Sequence, residues 1–573
     1  MWKYVKKYLP FMVLSVVTMI GEVLVDLLQP SIMSSIVDNG VLGGDLDLII
    51  RLGIRMAVLV ALGILAGSLC SVFSNIASEN VGNVIRRDCF DRIMTFSFSQ
   101  VDRFGTGTLI TRVTNDITQV QMMIQMMIRG MVRTGMLFGG SIFFMFTLYR
   151  SFGLIALCAL PFTISVMLIC LKKASPLFTR MQEQLDTVNA VMQEDVAGIR
   201  IIKACVKEVY EKLRFGKAND ELIKTQLKIL VIFAFMNPVV NMIMYIVVIL
   251  ILAVSHAKAP EGGVYPGAVM GAITYTTQLM NAIMGLVMMF QNISRGTASW
   301  KRLKAILRSE PDLADGGEEP DGTLKGMIEF RDVSFTYPGS EYPVLEHINL
   351  TIRPGETLAI MGATGSGKTT LVNLIPRFYE ASEGSVLVDG IDVRRFSQKA
   401  LRERVAIALQ KSELFSISVK DNILWGKPGA SDEEVRKAAV SAQADGFISR
   451  MNDGYDSIVA ERGMSLSGGQ KQRVSLARTI LKDAEIFIFD DATSALDLKT
   501  EASFYKALES SHGQSTKIIV AQRIASVRRA DRIALIEGGT IAACGSHEEL
   551  MKTCEIYQSI WNSQMGEDGE KVG

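Results

Sequence analysis

Apolar positions come in two rhythms along this chain. The first three hundred residues carry long runs at about 11–35, 52–77, 131–149, 153–171, 229–255 and 266–290, each close to the roughly 20 helical residues that cross a bilayer. The run from Ile229 to Val254 contains no charged residue, and the third is the least clean because Arg133 sits near its start. Six such runs in succession, with polar links between them, predict membrane helices rather than one buried core helix. Beyond residue 327 the runs shorten to strand length. MIEFRDVSF (327–335), TLAIMG (357–362), IFIF (486–489), KIIVAQ (517–522) and RIALIEGG (532–539) alternate with helical stretches, the pattern of an α/β domain. Between the halves, RSEPDLADGGEEPDGTLKG (308–326) is rich in Gly, Pro and acid and reads as a linker. The expected order is a membrane domain over 1–307, a linker over 308–326, an α/β domain over 327–563 and a polar tail over 564–573.

Charge orients the first half. Lys3, Lys6 and Lys7 precede span one, Arg86, Arg87, Arg92, Arg103, Arg112 and Arg129 follow span two, and Lys172, Lys173, Arg180 and Arg200 lie after span four. The link after span one, DNGVLGGDLD, has no Lys or Arg. The positive-inside rule therefore places the N-terminus, both long links and the second half in the cytoplasm. The basic, apolar N-terminus reads as a retained signal anchor, since no small-residue cleavage site ends it. The long links, 80–130 and 172–228, read as helical extensions of the spans, and segments 103–116 and 198–215 are candidates for touching a cytoplasmic domain. Glu22 and Asp26 fall one turn apart inside span one, where a carboxylate needs a cavity, a partner or water at the membrane edge.

Composition adds exclusions. The chain has 573 residues, 49% of them hydrophobic, and a formal net charge of +1, without the basic footprint of a nucleic-acid binder. Its seven cysteines lack CxxC spacing, which argues against a zinc site or a disulfide framework. Met-rich stretches in spans five and six suit adaptable apolar pockets and are also ordinary membrane-helix residues.

The second half carries phosphate chemistry. GATGSGKTT (362–370) fits G-x-x-x-x-G-K-[ST] and lies between a strand and a helical run, the context of a phosphate loop. Gly362, Thr364, Gly365, Ser366 and Gly367 would let backbone N–H groups wrap phosphate oxygens, with Thr370 in the helix that follows. Lys368 would bridge the β- and γ-phosphates of ATP, and Thr369 would place its hydroxyl on Mg²⁺. Asp490 ends the strand IFIF, a hard carboxylate suited to Mg²⁺. In LSGGQKQRVSLAR (466–478), Ser467 and two glycines open a helix, a second anion-binding N-terminus.

With these motifs in this order, the chain resembles a half-transporter of the ABC superfamily, of the six-span exporter type, over essentially its whole length. The resemblance implies an all-α six-helix transmembrane domain joined to an α/β P-loop nucleotide-binding domain, with ATP and Mg²⁺ as cofactors. Tyr337 matches the aromatic residue that stacks on adenine, and Gln410 the residue that senses Mg²⁺ and faces the membrane domain. Ser467, Gly468, Gly469 and Gln470 match the signature motif, AERG (460–463) the loop before it, and Asp497 the aspartate after the metal-site strand. It implies further that two such domains sandwich two ATP molecules, each between one phosphate loop and the other domain's signature. Location in a prokaryotic plasma membrane follows from the same likeness.

Two positions depart from the family pattern. Asp491 stands where a glutamate polarises the attacking water, and Gln522 where a histidine contacts the γ-phosphate. Aspartate is one methylene shorter, so its carboxylate falls about 1–1.5 Å short, and a misplaced base forfeits a factor of about 10²–10⁴ in rate. Glutamine can hydrogen-bond but cannot accept and return a proton as imidazole does. The expectation is a subunit that binds ATP well and splits it poorly, lends its signature to a competent site on a second half-transporter, and moves lipophilic drugs or lipids out of the cell. A slow homodimeric lipid flippase and an ATP-gated membrane regulator are the alternatives.

Overall fold

The computed structural model describes residues 1–258, 265–320 and 325–565. The chain divides into two compact units. One comprises Met1–Ile93 with Gly107–Ser309, and the other Met94–Thr106 with the residues from Glu310 on.

The first unit is helical. Among the described residues, five helices are long and apolar enough to cross a membrane: Leu9–Val41, Leu46–Met94, Thr106–Leu148, Arg150–Ala197 and Glu208–Ala257. The sixth expected span, 266–290, lies in helix Pro266–Arg308. Several helices run to about 50 residues, as 48 do in Arg150–Ala197, far beyond what the bilayer requires. Pro30, Pro161, Pro176 and Pro238 sit inside them, tolerated where neighbouring helices satisfy the freed carbonyls. Gln278 does this at one point: its amide nitrogen donates to Asp26 O, the carbonyl that Pro30 frees, at 3.1 Å. Large side chains such as Leu24, Leu65 and Phe162 face outward, as a lipid-facing surface requires. Glu22 and Asp26 have acquired a partner, because Arg133, the residue that blemished the third run, donates to both carboxylates.

The second unit holds two sheets. Its strands are β1 (Ile328–Phe335), β2 (Leu345–Ile352), β3 (Thr357–Gly362), β4 (Glu383–Val388), β5 (Ile391–Asp392), β6 (Val405–Ala408), β7 (Ile486–Asp490), β8 (Thr516–Val520), β9 (Arg532–Glu537) and β10 (Thr540–Gly545). The larger sheet runs β10-β9-β3-β8-β7-β6, parallel except for the antiparallel edge strand β10. Every residue of β7 and β8 is buried, as expected for parallel strands covered on both faces. The smaller sheet is antiparallel, in the order β2-β1-β4-β5. Strands β2, β4, β5, β6 and β10 were not among the sequence expectations. β8 ends at Val520, two residues before the expected limit, which leaves Gln522 in a loop.

Part of the 308–326 linker is held in place. Gly316 and Glu318 donate their N–H groups to Phe396 O and Arg395 O at 3.2 and 3.0 Å, and the Glu318 carboxylate pairs with Arg395 at 2.6 Å. Gly316 is required there, since a Cβ would fall 2.2 Å from Arg395 O. Residues 321–324 and most of the 564–573 tail lie outside the described residues.

A short insertion completes this unit. Helix Phe98–Phe104 opens with a capping box formed by Ser97 and Gln100. Phe98 stacks on Phe378 at 4.4 Å, and Tyr379 donates to Asp102 at 2.7 Å. The residues that dock, 98–102, lie just ahead of segment 103–116, and segment 198–215 belongs to the other unit.

Candidate functional site

In the parallel sheet β8 lies between β3 and β7, with Val520 paired to Ile360 on one side and Asp490 on the other. The carboxyl ends of all three strands therefore open on one crevice, where such sheets place ligands. A cleft of about 360 Å³ occupies it.

The loop after β3 forms the floor. Gly362 and Gly367 have φ of +152° and +97°, values that a side chain disfavours. A Cβ on Gly362 would also meet Ile536 O at 2.2 Å. Lys368 is buried in the loop and donates to Gly362 O at 2.9 Å and Ala363 O at 2.6 Å. Burial lowers its pKa, and Asp491 and Asp490 oppose that shift. Thr369 donates to Asp490 Oδ1 at 3.0 Å. Tyr337 shares a 3.0 Å hydrogen bond with Thr370 Oγ1 and is packed edge-on by Phe335 and Tyr379.

Two carboxylates face this floor. Burial raises the pKa of Asp490; the Thr369 hydroxyl opposes the shift and the neighbouring Asp491 adds to it. Burial raises Asp491 as well, against the pull of the Gln410 amide, Lys368 and Arg523. A buried acid and a half-buried one side by side are costly as anions. A hard cation would relieve that cost, and a hydroxyl–carboxylate pair beside a ring of backbone donors suits a polyphosphate with its divalent metal.

The comparisons agree with this chemistry. Residues 12–283 match the family model of the ABC transporter transmembrane region, and residues 345–494 that of the ABC transporter. An uncharacterized ABC transporter ATP-binding protein of Bacillus subtilis, YfiB, is 36% identical over 568 residues, covering 99% of each chain. An ATP-dependent lipid A-core flippase of Syntrophus aciditrophicus is 34% identical over 511 residues, 88% of this chain and 85% of that one. A bacterial Atm1-family ABC exporter solved with ATP bound superposes with a TM-score of 0.77 at 25% identity, covering 99% of each chain. This chain is an ABC transporter half-transporter. It is a multi-pass membrane protein of the exporter type, with an ATP-binding domain that couples ATPase activity to transport.

The transporter's remaining motif residues divide by location. Thr364, Gly365, Gln410 and Gln522 line the cleft with Tyr337, Gly367, Lys368, Thr369, Thr370, Asp490 and Asp491. Gly362 and Ser366 belong to the loop beneath. Ser467, Gly468, Gly469 and Gln470 do not line it. They open helix Gly468–Leu481, where Ser467 caps Gln470 N and the Gln470 amide answers Ser467 N at 2.8 Å. Ser467 and Gly468 are exposed. Asp497 caps the next helix, accepting from Thr500 N at 2.9 Å.

Several contacts around the ABC cassette's cleft had no sequence signal. Gln472 of the signature helix holds the loop after β7, donating to Ser494 Oγ and accepting from Ala495 N. Arg523, beside Gln522, donates to Ser494 O and Leu496 O at 3.3 Å. On the other side, Gln564 from helix Glu555–Met565 donates to Gln522 O and accepts from Ile524 N, both at 2.8 Å. The loop bearing Gln522 is thus clasped from two directions.

Proposed function

We propose that this chain is one subunit of a heterodimeric ABC exporter for lipophilic substrates, with an ATP site that binds Mg²⁺-ATP and hydrolyses it slowly. The observation that carries the reading is the company kept in one cleft. Lys368, Thr369 and Asp490, the groups for binding phosphate and metal, stand beside Asp491 and Gln522, where the family pattern has a general base and an imidazole. Lys368 and the loop amides would hold the phosphates, and Tyr337 would pack on the base. Thr369 and Asp490 would hold Mg²⁺ with the Gln410 amide nearby, and the metal would neutralise the phosphate charge. The Asp491 carboxylate reaches less far than glutamate, and Gln522 offers an amide that relays no proton.

The exposed start of the signature helix, at Ser467 and Gly468, supports the second half of the reading. Ser467, Gly468, Gly469 and Gln470 keep the anion-binding form and point to a site on another chain. ATP held between the two chains would favour closure, and turnover at the competent site would release it. In this reading the N-terminus and the nucleotide domain are cytoplasmic, the substrate enters from the inner leaflet or cytoplasm, and the bilayer is prokaryotic.

A second reading is a slow homodimeric lipid flippase, favoured by the several relatives named as lipid A-core flippases. Phosphate release by the purified chain, alone and with a half-transporter carrying the glutamate and histidine, decides between them. The heterodimer reading expects nucleotide binding but slow release from the chain alone, and brisk release from the pair. In the pair, removing the partner's glutamate should abolish release, and Asp491→Asn should change it by less than about twofold. Brisk release from the chain alone, or its loss in Asp491→Asn within the pair, overturns the reading.

A further inference from the structure

The nucleotide chemistry leaves one charged cluster of the membrane unit unused. Arg133 donates to Glu22 Oε1 and, at 3.1 Å, to Asp26 Oδ2. One guanidinium thus serves two carboxylates. The remaining acceptors are unfilled. Glu22 Oε2 is buried with no hydrogen-bond partner, and so is Oε1 of Gln278, whose amide nitrogen reaches Asp26 O at 3.1 Å. Asp26 Oδ1 has no donor among the described residues.

Glu22 and Asp26 border a groove of about 400 Å³ between helices Leu9–Ser35 and Leu46–Met94. Small residues on the second helix make the room. A Cβ on Gly67 would fall 2.8 Å from Glu22 Oε2, and Gly63, Ser68 and Ser71 continue the same wall. Arg129 lines the groove and forms no ion pair among the described residues. Val25, Val60 and Ile64 supply an apolar margin, and the outer faces of both helices are apolar and exposed, as at Leu24 and Leu65.

Unpaired charge inside a bilayer is costly and marks a site by default. The groove is lined both by carboxylates with acceptor atoms that lack donors and by a guanidinium outside any ion pair among the described residues. We propose that it binds the head group of an amphiphile carrying an ammonium N–H beside an anionic oxygen, the chemistry of an aminophospholipid. The ammonium donates to Asp26 and, after a small side-chain shift, to Glu22. The anionic oxygen meets Arg129, and the acyl chains lie along the apolar margin. The inference rests on the exporter reading only where a bound lipid becomes cargo, since binding itself needs no nucleotide.

Native mass spectrometry of the full chain, nucleotide-free and offered equal amounts of phosphatidylethanolamine, phosphatidylcholine and phosphatidylglycerol, tests this. Phosphatidylethanolamine should be retained about tenfold over either competitor, the effect of one charge-assisted hydrogen bond. Phosphatidylcholine has the cation without the N–H, and phosphatidylglycerol the anion without the cation. Asp26→Asn and Arg129→Gln should each erase the preference, and Ser71→Leu, which fills the groove without touching a charge, should do the same. The last two variants decide the matter if Asp26→Asn fails to fold. Equal retention of phosphatidylethanolamine with either competitor overturns the proposal, as does a preference that survives in the folded variants. A transporter that shows the preference but no ATP-driven transport keeps the site and loses the exporter reading.

Discussion

Asp491 occupies the left-handed backbone region, with φ of +50°, and its N–H is held by Val520 O at 3.0 Å. Aspartate accepts that conformation more readily than most side chains. With the backbone fixed there, a longer carboxylate at 491 would reach further into the cleft, and an imidazole at 522 would add proton transfer. Asp491→Glu combined with Gln522→His should therefore raise phosphate release from the purified chain by about 10²-fold or more, and unchanged release would remove both residues from the account of slow turnover. His512 belongs to the same scale. Its ring packs against Phe487 at 4.9 Å, and burial lowers its pKa against the opposing pull of Asp483. A depressed histidine contributes stability above its unfolded pKa of about 6.5 and loses it as pH falls through the folded value. Melting of the chain should show the nucleotide domain weakening on acidification below that point, and His512→Gln should flatten the dependence. The phosphate loop was legible because its glycines, lysine and hydroxyl stand at fixed spacing. The pairing of Arg133 with Glu22 and Asp26 was not, because more than a hundred residues separate them and only the fold brings them together.

Helices and loops carry the next layer. The loop bearing Gln522 is braced by Arg523 toward the loop after β7 and by Gln564 toward the last described helix. Gln564→Ala removes two hydrogen bonds to backbone groups, each contributing about 1 kcal/mol. It should weaken binding of a fluorescent ATP analogue several-fold without lowering expression, while Gln564→Glu, which keeps an acceptor for Ile524 N and loses the donor to Gln522 O, should fall between. Equal affinity in all three proteins would reduce the clasp to packing. Nothing in the residues near 564 signals this role, since one glutamine on an amphipathic helix is commonplace. Strands were legible where they form continuous apolar runs, as in β3, β7 and β8. The antiparallel β2 escaped because half its positions are polar and exposed, and β4 because only its last three residues are apolar. Its acids and glycines mark the 308–326 segment as a linker, and they give no sign of the backbone pairing with Arg395 and Phe396 that ties part of it down.

At the scale of the whole chain, the change of solvent near residue 300 was the most legible feature, since membrane helices and a buried parallel sheet have different apolar rhythms. The division was not purely sequential, because Met94–Thr106 belongs with the nucleotide domain although it lies between membrane helices. Two units with separate cores should unfold in separate transitions. Mg²⁺-ATP at about 100 times its dissociation constant should stabilise the second unit by about 2.7 kcal/mol, and the membrane unit far less. Scanning calorimetry with and without nucleotide checks this, and Lys368→Ala should abolish the shift. The Gln564 clasp reaches into laboratory practice. An affinity handle or fluorescent protein fused directly behind residue 565 would tug on the helix that steadies the Gln522 side of the cleft. Kinetic work on this exporter is therefore better anchored through its amino end.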